Sequence, residues 1–267
     1  MPTRPTLVLV IGATGSIGRL VVAEARKQGY ATRALVRAPE RGRRLGPDVD
    51  LVVGDVTRPE TLVAAVEGVD AVIFTHGSDG GGKVGSETVD YGAVRNVLEA
   101  LRGQRVRIAM MTAIGVTNRR GPYNASTESH DWKRRAERLV RASGNDYTIV
   151  RPGWFDYNAA DEHKLVFLQG DTRQAGNSGD GVIARQQIAE VLVSSLASDA
   201  ANRTSFELVA ERGPAQADLE PVFAALDADE ADNQNLDGVR DVNNQPLDAE
   251  PARVLTDLEN VRKSARA

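Results

Sequence analysis

Through the first 150 residues, apolar runs of strand length alternate with segments whose apolar positions recur every three and four residues. The runs at 6–11, 32–36, 51–53, 71–75, 106–112 and 147–151 read as strands, and the segments at 16–28, 59–66, 89–101 and 128–142 as helices. "LVLVIG" and "DAVIFT" are nearly continuous in apolar residues, as strands buried on both faces of a parallel sheet must be. Gly29 stands where a left-handed residue would end the first helix. Such alternation predicts an α/β fold, a Rossmann-type doubly wound parallel sheet.

Beyond residue 151 the pattern loosens into a strand at 164–168, a glycine-rich loop "GNSGDG" at 176–181, a helix at 185–198 and a strand at 204–210. These are expected to extend the sheet and form a small substrate-side region within one domain, residues 1–226, starting near residue 152. From 227 to 250 the chain is acidic, amide-rich and poor in apolar residues, and reads as a linker or surface arm. The final segment restores a helical stripe through Val254, Leu255, Leu258 and Val261. That stripe reads either as a helix docked on its own body or as a homodimer contact.

Composition narrows the function classes. At 267 residues and 41% hydrophobic content the chain can bury one sizeable core. The absence of cysteine excludes disulfides, thiolate zinc sites and cysteine nucleophiles, and fits a reducing compartment. A net charge of -4 argues against a general nucleic-acid surface. No run approaches the roughly 20 apolar residues that span a bilayer, and "MPTRPTLVLVIG" reads as a first strand and not a signal peptide. The three histidines form no HxxH or carboxylate grouping, so no metal site is expected. These features suit a cytoplasmic protein acting on a small molecule, with neither nucleic acid nor membrane as partner.

The chemistry starts at "VIGATGSIGR", residues 10–19, where three glycines follow the first strand and open the first helix. In that context such a loop turns tightly, admits a pyrophosphate against its backbone and aims helix N-terminal amides at the phosphates; the alternative is a tight turn without a ligand. At the end of the second strand stands Arg37, followed by Arg41, Arg43 and Arg44, and no carboxylate. A cation there suits a 2′-phosphate, favouring NADP over NAD; the bland reading of the cluster is a solvated helix start. Five glycines in the nine residues 77–85 suggest a mobile flap beside the ligand.

The GxxGxxG spacing of Gly12, Gly15 and Gly18 resembles the short-chain dehydrogenase/reductase superfamily, and within it the atypical branch of NmrA-like and NAD(P)H-binding proteins. "ALVR", "VVGDVT", "VIFTHGS", "VDYGAVRNVLEAL", "MMTAIGV", "WKRRAERLVRASGNDYTIVRPG" and "IARQQIAEVLVSSL" follow in the order that family shows, and the resemblance spans about residues 6–225. It implies an NADP(H) site built from Gly12, Thr14, Gly15, Ser16, Ile17 and Gly18, then Arg37, with Asp55 and Val56 lining the adenine. Thr75, His76, Gly77, Tyr91, Thr112 and Lys133 complete that site, together with Pro152, Gly153, Trp154 and Phe155, whose amides would face the nicotinamide carboxamide, the alternative for this last segment being a purely structural strand exit.

A short-chain dehydrogenase reduces a carbonyl with Ser, Tyr and Lys, the last two spaced YxxxK on one helix. Lys133 matches the lysine and shares a helix face with Ala136 and Val140, but Ser129 stands where the tyrosine belongs. Thr112 ends the fifth strand near the serine position. Tyr123, His130 and Tyr157 are candidates for the missing acid, each with an ordinary surface role as its alternative. Trp132 and Trp154 read as packing or pocket walls. Two functions remain: an NADP-dependent oxidoreductase of a carbonyl, enone or quinone-like substrate, and a non-catalytic NADP(H)-sensing regulator of NmrA-like type.

Overall fold

The computed structural model of the protein describes residues 5–78, 80–230 and 235–265. Asp79, inside the expected flap, and residues 231–234, inside the expected arm, lie outside the described residues, as do both chain ends. Ten strands form one sheet: β1 (Leu7–Ile11), β2 (Ala31–Val36), β3 (Asp50–Val53), β4 (Ala71–Phe74), β5 (Arg107–Met111), β6 (Asp146–Pro152), β7 (Trp154–Phe155), β8 (Lys164–Leu168), β9 (Val182–Ile183) and β10 (Thr204–Glu211). Their order is β3-β2-β1-β4-β5-β6-β10-β9-β7, with β8 pairing β10. Strands β1 to β6 and β10 run parallel, while β8 and β9 pair β10 antiparallel. The order reverses between β1 and β4, where open α/β sheets bind ligands beyond their carboxyl ends.

The long helices are α1 (Gly18–Lys27), α2 (Gly92–Leu101), α3 (Ser129–Ala142), α4 (Arg185–Ser194) and α5 (Ala252–Ser264). Alternation along β1 divides the core: Val8 and Val10 face α1 and α4, and Leu9 and Ile11 face α2, α3 and α5. The segment expected as a helix at 59–66 is a 3-10 turn, Pro59–Thr61, and a single helical turn, Val63–Val66. Only half of the expected 77–85 flap is loop, because Gly82–Gly85 is already helical and continues through a π-helical turn, Ser86–Tyr91, into α2.

The expected surface arm is the largest correction. Helix α3 carries Arg134, Arg135, Glu137, Arg138 and Arg141 on a face that is buried, not solvated. Asp229, Asp237 and Glu250 cover it with counter-charges. Asp237 accepts two hydrogen bonds each from Arg134 and Arg138, all between 2.9 and 3.0 Å. Glu250 takes Arg135 and Arg138 at 2.6 and 2.8 Å, and Asp229 takes Arg141 at 3.0 Å. Arg151 of β6 joins the same network through Glu137, Glu207 and Asp241. Low apolar content therefore marks a polar clasp here, because each buried guanidinium meets a carboxylate in paired geometry. Beyond the clasp, Val254, Leu258 and Val261 of α5 bury against the body, and Leu255 stays at the surface.

Candidate nucleotide site

The glycine loop turns because Gly12 adopts φ +83°. A side chain there would lie 2.7 Å from the His76 backbone nitrogen, so the loop rests directly on the end of β4. A Cβ on Gly18 would lie 2.0 Å from the Gly12 carbonyl oxygen, which lets α1 start immediately beneath the loop. The Gly15 amide donates to the Gly12 carbonyl at 2.9 Å, Ile17 anchors the loop in the core, and Thr14, Gly15 and Ser16 are exposed. This leaves an open backbone concavity at the positive end of the α1 dipole, which suits a diphosphate.

At the ends of β2 and β3 the electrostatics are asymmetric. Arg37, Arg41, Arg43 and Arg44 are exposed and make no salt bridge among the described residues. Asp55 accepts hydrogen bonds from the Thr57 amide and hydroxyl at 2.9 and 2.7 Å. Those bonds, and more weakly Arg37, hold its carboxyl below the ordinary range. The Val56 carbonyl accepts from Asn96 at 2.7 Å, which fixes the strand exit to α2.

Under the loop, Thr75 donates its hydroxyl to the Ile11 carbonyl at 3.0 Å, and Gly77 is exposed. The His76 ring meets Phe74 edge-on at 5.6 Å, and its Nδ1 is buried without a hydrogen-bond partner. Burial pushes this imidazole down to about 4, with Asp90 opposing and Lys133 assisting. Lys133 Nζ sits 2.9 Å from Asp90 and donates to Ser129 Oγ at 2.9 Å. Asp90 also accepts from the Ser78 amide and hydroxyl, at 2.9 and 2.8 Å. The π-helical turn carries Asp90, and irregular turns of this kind frequently mark functional positions. Thus Gly12, His76, Asp90, Ser129 and Lys133 form one connected floor. Asp90 and Ser78 gave no readable signal, because their pairing depends on a widened helical turn.

Three expectations about residue roles change. Tyr91 is buried, donates its hydroxyl to Asp257 of α5 at 2.8 Å and packs on Trp132, so it faces the tail and not the cleft. The Gly153 and Trp154 amides already bond to the Leu208 and Gly181 carbonyls, both at 2.9 Å, and Pro152 has no N–H. Those amides hold the sheet together and do not face a ligand. Thr112 is 3% exposed and gives its hydroxyl hydrogen to Glu137 at 2.7 Å, which turns it toward the buried arginine network.

The three acid candidates do not converge. Tyr123 is exposed and lies 5.2 Å from the His130 ring. His130 Nδ1 lies 3.4 Å from the Asn118 carbonyl, and burial lowers its pKa, with Lys133 contributing. Tyr157 is exposed on a separate loop, edge-on to Trp154 at 6.4 Å, and Phe155 lies under Arg185. No grouping of His, Asp and Glu among the described residues could hold a metal ion. Nor, among those residues, is any helix long and apolar enough to cross a membrane.

Comparison with known proteins agrees with this geometry. The sanguinarine reductase of Eschscholzia californica is 26% identical over 82% of this chain and 95% of its own length. The uncharacterized sugar epimerase YhfK of Bacillus subtilis is 30% identical over 75% and 92%. Among solved structures, the oxidoreductase ylbE from Lactococcus lactis superposes with a TM-score of 0.65 at 18% identity, over 82% of this chain and 96% of that one. Residues 12–199 match the family model described as NAD(P)H-binding, and with a glycine loop open to a diphosphate at the switch point of its sheet, the chain belongs to that NAD(P)H-binding family.

Proposed function

We propose that the protein is an NADPH-dependent reductase of a small carbonyl, enone or quinone-like substrate, working without the tyrosine of the YxxxK pair. The observation that carries this reading is Lys133, fixed by Asp90 and Ser129 on the floor of the nucleotide cleft with its side chain 18% exposed. A lysine so placed is suited to holding the nicotinamide ribose. Arg37 and its neighbours, exposed and without a salt bridge among the described residues, suit a 2′-phosphate and favour NADPH over NADH. The exposed amides at Thr14 to Ser16 suit the pyrophosphate, and Asp55 the adenine edge. Bound NADPH would supply a hydride to the electrophilic carbon. The proton then reaches the substrate oxygen through water. Ser129 is a far weaker acid than a phenol, and His76 and His130 are held neutral at physiological pH.

The test is NADPH oxidation across a panel of aldehydes, ketones, enones and quinones, with Lys133→Ala and Arg37→Glu. Turnover lost in the first variant and NADPH weakened far more than NADH in the second are expected. Binding without turnover on the whole panel, with Lys133→Ala changing only affinity, would instead establish the regulatory reading that Ser129 in the tyrosine's place favours. Equal weakening of both dinucleotides by Arg37→Glu would remove the preference for NADP.

A further inference from the structure

A side-chain hydrogen bond links the glycine loop to the substrate-side region. Arg185, the first residue of α4, lies beside α1 so that its Nε donates to Ser16 Oγ at 3.2 Å. Its guanidinium also pairs with Asp156 and lies 5.2 Å above the Phe155 ring. Asp156 is in the left-handed region, φ +59°, and its Oδ1 accepts the Arg185 amide at 3.0 Å, so the carboxylate is aimed at the arginine by backbone and side chain together. Both side chains remain partly exposed, 34% for Arg185 and 48% for Asp156, so an incoming anion can reach the pair.

We infer that Arg185 is a pyrophosphate clamp: its guanidinium closes the open side of the glycine loop on the diphosphate of the bound dinucleotide, and Asp156 holds it there until the ligand replaces the carboxylate. The inference rests on the dinucleotide reading of the cleft and adds a residue to it. Three features support the assignment. Ser16 is one of the exposed loop residues at the α1 N-terminus, so a group hydrogen-bonded to its side chain is already beside the phosphate position. A guanidinium offers a planar fork matched to phosphate oxygens, and exchanges one oxyanion partner for another without desolvating a bare charge. Phe155 supports the cation from below and restricts the arc through which it moves. The glycine loop supplies uncharged groups, backbone amides and the Thr14 and Ser16 hydroxyls, on one side of the diphosphate, and Arg185 supplies a full positive charge on the other.

The clamp is tested by fluorescence titration of NADPH and NADH, with adenosine 2′-monophosphate, which lacks the 5′-diphosphate, as the third ligand. Arg185→Ala is expected to raise the dissociation constants of both dinucleotides by the same factor, about ten- to hundredfold, the loss of a charge-assisted hydrogen bond. Binding of the monophosphate should stay within about twofold, which also reports that the fold is intact. Arg185→Lys should recover part of the loss, and Asp156→Asn, by removing the competing carboxylate, should tighten both dinucleotides by up to about fivefold. Changes under about twofold for Arg185→Ala, or an equal loss for the monophosphate, would overturn the clamp. Failure of the NADP preference is distinguished by Arg37→Glu: equal weakening of NADPH and NADH there removes the preference and leaves the Arg185 result standing. If the unsubstituted protein binds neither dinucleotide, both readings fall.

Discussion

Replacing Asp237 with Asn removes one charge from the centre of the arginine clasp while keeping the side chain's shape. Asp237 is the shared acceptor of two guanidiniums that are both 0% exposed, through four hydrogen bonds. In the variant, an amide nitrogen would face one donor of each arginine while the remaining oxygen still accepts the other, and Arg134, without a carboxylate, would also keep Asn244 at 2.5 Å and the Val242 carbonyl at 2.7 Å. Arg138 would keep Glu250 and the Gln245 carbonyl. Breaking a buried pair by removing one partner costs about 3–5 kcal/mol, since the remaining charge is uncompensated. For a domain of this size that is a fall in melting temperature of roughly 6–20 °C. Thermal melts followed by circular dichroism, with urea titrations for the free energy, measure it. The exposed Lys263–Glu259 pair, at 2.7 Å, is the control: Glu259→Gln should leave the melting temperature and the urea midpoint nearly unchanged, because solvent screens the pair. If Asp237→Asn costs no more than that control, the tail is not bound through this network.

Glu207 is pushed up to about 7, chiefly by burial, with Asp171 and Asp241 adding to the rise and Arg151 opposing it. Its stabilising contribution is therefore complete below the ordinary carboxyl value of 4.5 and is lost as pH rises through about 7. Glu207→Gln should remove that decline, seen as urea midpoints that fall less between pH 5 and 8 than in the unsubstituted protein; parallel profiles would contradict it. His76 should titrate by NMR with a midpoint about 4, and a midpoint near 6.5 would show that its ring is solvated. Gly18→Ala places a carbon 2.0 Å from the Gly12 carbonyl, so the loop must shift. Overpacking of about 1–3 kcal/mol corresponds to roughly five- to hundredfold weaker dinucleotide binding, measured by calorimetry; unchanged affinity would mean the loop is not the phosphate cradle.

The central strands β1 and β4 were legible because each is buried on both faces and so carries an uninterrupted apolar run. The glycine loop was legible because its spacing answers a backbone requirement, φ +83° at Gly12 and contact at Gly18. Lys133 could be placed by helical spacing alone. Its partners could not, since Asp90 reaches it through a π-helical turn that periodicity does not encode. The same limit hid the true position of Tyr91, which shares that turn but faces Asp257. The clasp escaped for a different reason. Acidic, apolar-poor sequence normally means solvated chain, and only its match with Arg134, Arg138 and Arg141, spaced four and three apart on one helix face, distinguishes it.

That match has a consequence during synthesis. Arg134 and Asp237 are separated by 103 positions in sequence, so at roughly 5–20 residues per second the helix leaves the ribosome about 5–20 s before its counter-charges exist. During that interval three guanidiniums on one face must stay hydrated, and the half of the sheet beneath them cannot close. The opposite face of the sheet, where Val8 and Val10 of β1 pack with α1, takes no counter-charge from the tail and can condense early. Completion of the molecule is thus timed by its last segment, whose arrival converts a hydrated cationic helix into sealed interior.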